Sequence, residues 1–143
     1  MSPTSELLKQ LAREVAMAPQ EQLMEVGRRK KSLFIGIPKE ITFQEHRVPL
    51  TPSAVAVLVG RGHEVVVERG AGIPAQFQDS DYSEAGAMMV DSPDQVFKAD
   101  LILKVAPPTH AEIEMLRHKQ ILVSALQLTV QPKDTLRRMM EKR

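Results

Sequence analysis

From Ser32 to its C-terminus the chain alternates short β-type apolar runs with helical patterns, and this alternation constrains its fold more than any other feature. The runs are Leu33-Phe34-Ile35-Gly36-Ile37, Glu64-Val65-Val66-Val67-Glu68, Met88-Met89-Val90, Leu101-Ile102-Leu103-Lys104-Val105 and Ile121-Leu122-Val123-Ser124-Ala125-Leu126. Helix signals fill the gaps. Thr51 and Pro52 supply an N-cap and a first-turn proline for a helix through Val59, which Gly62 ends. The stretch Asp79 to Ala85 reads as a short helix, Ser92-Pro93 opens another, and Thr109-His110-Ala111-Glu112 is a capping box for the next. Pro132 to about Lys142 closes the chain as a helix. Near-continuous apolar strands belong to sheets covered on both sides. The expected fold is therefore α/β, a Rossmann-like parallel sheet of about five strands with helices on both faces. Right-handed crossovers would put the loops that follow the strands largely on one edge.

At 143 residues one ordinary domain is the expectation. The first residues read differently from it. Leu7, Leu8, Leu11 and Val15 share one helical face, Pro19 breaks it, and Leu23 and Met24 mark a second short helix before Gly27-Arg28-Arg29-Lys30-Lys31. Residues 1–31 are read as a helical N-terminal extension and residues 32–143 as the domain. Nineteen Lys and Arg against 18 Asp and Glu give a net charge of +1, which provides no basic field for nucleic acid. Aromatic residues at 3% also remove the stacking platforms of single-strand binders. The absence of cysteine excludes a disulfide framework, a thiolate nucleophile and a thiolate metal site. No apolar run reaches the roughly 18 to 20 residues of a membrane span, and Glu6, Lys9, Arg13 and Glu14 interrupt any signal-peptide core. A cytoplasmic protein without direct membrane insertion is expected.

Several motifs fail on context. Gly70-Ala71-Gly72-Ile73-Pro74-Ala75 fits the dinucleotide pattern Gly-x-Gly-x-x-Ala after a strand, yet Pro74, Phe77 and Gln78 lead into a loop rather than a helix. It is read as a structural turn, so no cofactor-binding residue is assigned in this chain. His46, His63, His110 and His118 lack paired ligand spacing, and no metal site is assigned. Neither a Gly-x-Ser-x-Gly elbow nor a Walker-type loop occurs. What remains is a constellation at strand ends. Arg47 follows the first strand, Lys104 lies near the end of the fourth and Gln127 just beyond the fifth, and a doubly wound sheet can bring such positions to one crevice. Arg47 carries a planar fork suited to carboxylate or phosphate. The plainer alternatives are a surface ion pair of Arg47 with Glu45 or Glu40, and a strand-end lysine reaching for water.

The stretch Gly36-Ile37-Pro38-Lys39-Glu40, then Glu45-His46-Arg47-Val48, Thr51-Pro52 and a helix ending in Gly62-His63-Glu64-Val65 resembles the N-terminal domain of the alanine dehydrogenase and pyridine nucleotide transhydrogenase α-subunit family. The resemblance runs from about Leu33 to the C-terminus. It implies that Arg47 matches an arginine that holds the substrate carboxylate. It also implies a substrate-binding lysine two places after Lys104, where this chain has Ala106, and a proton-transfer histidine where it has Gln127. No catalytic residue is thus intact. Gln44 and Pro49 stand where the family usually has asparagine and alanine. If the fourth strand continues regularly, Lys104 projects on the side of Ala106, one pleat repeat of roughly 6.5 Å earlier. Gln127 can hydrogen-bond but cannot shuttle a proton near neutral pH.

The resemblance further implies NAD or NADP as cofactor of a full-length parent, bound by a downstream Rossmann domain that this chain lacks. It implies a small carboxylate or a nicotinamide as substrate, and a homo-oligomer. The expected function is that of an N-terminal, substrate-side domain of an NAD(P)-dependent oxidoreductase, inactive alone. The alternative is a non-catalytic binding or assembly module, which Ala106 and Gln127 permit.

Overall fold

The computed structural model describes residues 32–142, and the helical extension expected over residues 1–31 lies outside them. Five strands, β1 (Phe34–Ile37), β2 (Glu64–Glu68), β3 (Met88–Val90), β4 (Leu101–Leu103) and β5 (Ile121–Val123), form one sheet. Every pairing is parallel, and the order is β3-β2-β1-β4-β5. The helices are α1 (Pro52–Gly60), α2 (Asp79–Glu84), α3 (Pro93–Val96), α4 (His110–Met115) and α5 (Lys133–Glu141), with a 3₁₀ turn at Ile73–Ala75. The expected α/β architecture is what forms.

Period-two alternation divides the core between the two faces of the sheet. Ile35, Ile37, Val65 and Val67 pack with Val55 of α1 and Tyr82 of α2 on one face. Val66 and Ile102 pack with Val96 of α3, Phe97 and Ala99 on the other, with Met115 of α4 against them. Val55, Val67, Ile37 and Ile102 are fully buried, each contributing about 1.5–3 kcal/mol of transfer free energy. Gly36 lets α3 approach β1 closely, since a Cβ there would stand 2.6 Å from the Val96 carbonyl oxygen.

Local chemistry sets the element ends. Thr51 Oγ1 caps α1 by accepting from the Ala54 N–H, and the helix gives way to Gly62 at φ 88°. Two strands stop earlier than their sequence suggests. β4 ends at Leu103 rather than Val105, and the Val105 N–H donates to Glu40 Oε1. β5 ends at Val123 rather than Leu126; it is the edge strand and has β4 alone beside it.

Candidate functional site

The strand order places a topological switch point between β1 and β4. From β1 the chain winds outward through β2 and β3 along one face, then returns to β4 and β5 along the other, so the loops after β1 and β4 diverge. Pro38 follows β1 directly and has no N–H for the ladder. The expected crevice is at the carboxyl edge between these strands. Such crevices are where open α/β sheets hold ligands.

Glu40 enters this crevice. Its Oε1 accepts from the Val105 N–H at 2.6 Å and its Oε2 from Lys104 Nζ at 2.9 Å. Lys104 also donates to Glu112 Oε1 at 2.9 Å, and Glu112 Oε2 accepts from the Thr109 N–H at 2.7 Å. The capping box expected at Thr109 is formed, with Glu112 serving both α4 and the lysine. The side chains of Lys104, Glu40 and Glu112 are 1%, 4% and 5% exposed. Lys104 therefore does not offer its amine to the open edge. It does not reach water, and two carboxylates accept from its Nζ. Ser124 follows the pair Leu103 and Val123, opposite Lys104, and its Oγ is buried without a hydrogen-bond partner among the described residues.

Arg47 behaves differently. It stands 72% exposed on the long loop after β1, where its Nε and Nη2 donate to the two oxygens of Glu45 at 2.9 and 2.8 Å. Arg47 N–H also donates to Glu45 Oε1 at 3.0 Å. These bonds, the side-chain pair foremost, hold the Glu45 carboxyl at about 2, against an ordinary 4.5. Glu45 in turn raises Arg47 further. The side-on fork of the guanidinium is thus occupied, while Nη1 has no partner in these contacts. Of the two ion pairs open to Arg47 in the sequence, the one with Glu45 forms.

Gln127 lies four positions past β5, exposed and at φ 47°. Parallel strands put the segments carrying Arg47, Lys104 and Gln127 on the same edge of the sheet, yet no hydrogen bond joins these three residues to one another. Glu45 and Glu40 were legible as possible partners of Arg47. That Glu40 would reach Lys104, and that Glu112 would do so from a helix cap, has no signature in local spacing.

The glycine loop is a turn rather than the start of a helix. Gly70 takes φ 78° and its N–H donates to Asp79 Oδ1 at 2.8 Å, so a carboxylate already occupies the amide a phosphate would need. Ile73–Ala75 form a 3₁₀ turn, and α2 begins only at Asp79. Gly72 is required by packing, since a Cβ would lie 2.6 Å from Tyr82 Cε2. Among the described residues there is no group of three or more His, Asp or Glu able to hold a metal ion. No helix among them is long and apolar enough to cross a membrane. A concavity lined by Leu116, Arg117, His118, Gln120, Leu122 and Met139 lies at the entry to β5, the opposite edge from the crevice.

Comparison with known proteins bears directly on this arrangement. A family model described as alanine dehydrogenase/PNT, N-terminal domain, matches residues 36–143. The chain belongs to this family. Over 101 residues it is 45% identical to an alanine dehydrogenase of Staphylococcus epidermidis, covering 71% of this chain and 27% of that protein. Over 95 residues it is 48% identical to an alanine dehydrogenase of Mycobacterium tuberculosis, covering 66% of this chain and 26% of that one. Among solved structures it is similar to an L-alanine dehydrogenase (TM-score 0.72, 40% identity, 76% of this chain and 30% of that chain). It is also similar to a transhydrogenase from Sinorhizobium meliloti (TM-score 0.68, 30% identity, 73% and 31%). The chain thus spans about 27% of the first of these relatives. As a member of the alanine dehydrogenase/PNT N-terminal family, it has the resemblance that its Gly-Ile-Pro-x-Glu and Glu-x-Arg-Val motifs indicated.

Proposed function

We propose that residues 32–142 form the substrate-side domain of an NAD(P)-dependent oxidoreductase of alanine dehydrogenase or transhydrogenase type, holding a small carboxylate at Arg47. The observation that carries this reading is the state of Arg47: exposed on the loop that follows β1, with its side-on fork fixed by Glu45 and no acceptor at Nη1 among the described residues. A guanidinium oriented by one carboxylate can take a second through its remaining N–H groups. Gln127 supplies hydrogen bonds at the same edge and no titratable proton. Lys104 is committed to Glu40 and Glu112, and its contribution comes from behind the loop.

The glycine loop does not fit a dinucleotide, so NAD or NADP is assigned to a separate unit and the chain by itself is inactive. The setting is cytoplasmic and the assembly a homo-oligomer. The pair Ala106 and Gln127 favours a second reading, a binding or assembly module that has lost catalysis.

The test is an assay of the protein expressed from the complete reading frame, with L-alanine plus NAD or NADP and separately with a reduced and an oxidised nicotinamide dinucleotide. Hydride transfer in either assay supports the oxidoreductase. In the alanine assay, Arg47→Ala should weaken the carboxylate substrate by about 1.5–3 kcal/mol, typical of a charged hydrogen bond. No transfer in either assay would leave the binding module.

A further inference from the structure

We propose that Lys104 is a positioning residue for Arg47: held between Glu40 and Glu112, it pins the entry of the loop that displays the guanidinium. This rests on Arg47 being the carboxylate ligand, and it concerns a residue that a substrate does not touch. The side chain of Lys104 is 1% exposed, so its role is read from what it holds.

What it holds is the start of the loop. Glu40 is tethered twice, to Lys104 Nζ and to the Val105 N–H, which joins the end of β1 to the end of β4 across the switch point. At the other end, Leu50 accepts from the Tyr82 hydroxyl at 2.8 Å. Between these anchors, from Ile41 to Pro49, the hydrogen bonds among the described residues are internal to the loop: Glu45 N–H to the Thr42 carbonyl, and the contacts of Arg47 with Glu45. Ile41 and Phe43 are 63% and 87% exposed and contribute little packing. Glu45, Val48 and Pro49 are half-buried and the Lys39 N–H donates to Glu68 Oε2 at 2.8 Å, so the loop has further holds, among which the one at Glu40 joins two charged groups.

The two carboxylates on Lys104 have separable duties. Glu112 ties the amine to the first turn of α4 through Thr109, whereas Glu40 ties it to the loop. Removing Glu112 takes away a buried ion pair and leaves the loop anchored. Removing Glu40 cuts both of its tethers, whereas removing Lys104 cuts the charged one and leaves the Val105 N–H bond in place. A clasp that served stability alone would not distinguish them.

The experiment compares Lys104→Met, Glu40→Ala and Glu112→Gln. In the full chain, ¹⁵N relaxation of Phe43 to Arg47 should show order parameters falling to below about 0.6 in Lys104→Met and Glu40→Ala, and unchanged in Glu112→Gln. In the protein from the complete reading frame, Glu40→Ala should raise KM for L-alanine tenfold or more while kcat stays within about twofold. Should Lys104→Met fail to fold, Glu40→Gln makes the test, because it keeps an oxygen for the Val105 N–H and gives up the charge that Lys104 holds. An ordered loop in Glu40→Ala, or equal loosening in Glu112→Gln, overturns the proposal. The relaxation measurement needs no activity. If Arg47→Ala leaves KM unchanged while Glu40→Ala loosens the loop, it is the assignment of Arg47 to the carboxylate that fails.

Discussion

Glu40 and Lys104, 64 positions apart in the sequence, meet at 2.9 Å where β1 and β4 diverge. This pair converts a topological feature, the switch point, into a chemical one. At the switch point an ammonium sits between two carboxylates, and the exposed Arg47 lies on the loop that Glu40 begins. Buried pairs of this kind are costly to break and give weak net stability.

Lys104→Met should therefore lower stability by on the order of 3–5 kcal/mol, because it leaves two buried carboxylates facing each other without their cation. Replacing all three members together, as Glu40→Gln, Lys104→Met and Glu112→Gln, should recover much of that loss. Urea denaturation of the two variants, compared with the parent chain, measures both. A single variant as stable as the parent would show that the clasp bears no burial penalty.

The Glu45 carboxyl should titrate near 2 when followed by NMR at its Cδ, where the ordinary value is 4.5. Because the folded-state value is depressed, the pairing stabilises the fold above the unfolded value and is lost as pH falls from 4.5 toward 2. The Arg47 Nε–H signal should change in that acid window. Arg47→Ala should return the midpoint of Glu45 toward its ordinary value. A midpoint that stays low in this variant would assign the depression to some other group.

Gly72→Ala should destabilise the chain by about 1–3 kcal/mol through overpacking against Tyr82 and Phe77, even though its φ of −85° is open to any residue. Calorimetry with NAD on the wild-type chain should show no micromolar binding, since Gly70 N–H is spent on Asp79. Micromolar binding by the wild-type chain that survives folding controls would reverse this assignment.

The layout of the sheet was legible because parallel strands covered on both faces must be apolar throughout, and Val65-Val66-Val67 is such a run. Helix starts were legible where a side chain caps them, as at Thr51 and Thr109. Strand ends were less so. Val105 has strand-like chemistry, and its N–H goes to a carboxylate 65 positions away, a contact no local pattern encodes. The site divides in the same manner. The pairing of Arg47 with Glu45 is local and was among the readable alternatives, whereas the fate of Lys104 depends on Glu40 and Glu112 converging from two other elements. Gln44 at φ 62° shows the limit from the other side, a residue in a left-handed conformation that asparagine or glycine adopts more readily.

The last prediction concerns the chemistry that Gln127 cannot supply. An exposed amide past the edge strand can orient a substrate but has no proton to exchange near neutral pH, so Gln127→Ala should change turnover in the complete protein less than Arg47→Ala does. Its φ of 47° is one that histidine tolerates comparatively well, so Gln127→His is compatible with the backbone. Paired with Ala106→Lys, it should raise alanine-dependent NADH formation by a factor approaching the roughly hundredfold associated with acid–base catalysis. Ala106 is 5% exposed, so the new lysine must displace packed neighbours, and Gln127→His alone is the control for that disturbance. Steady-state rates across pH 6 to 9 decide the matter, because an added imidazole brings a new titration into the profile. Rapid alanine oxidation by the unaltered protein, unchanged in Gln127→Ala, would place the proton on a different residue.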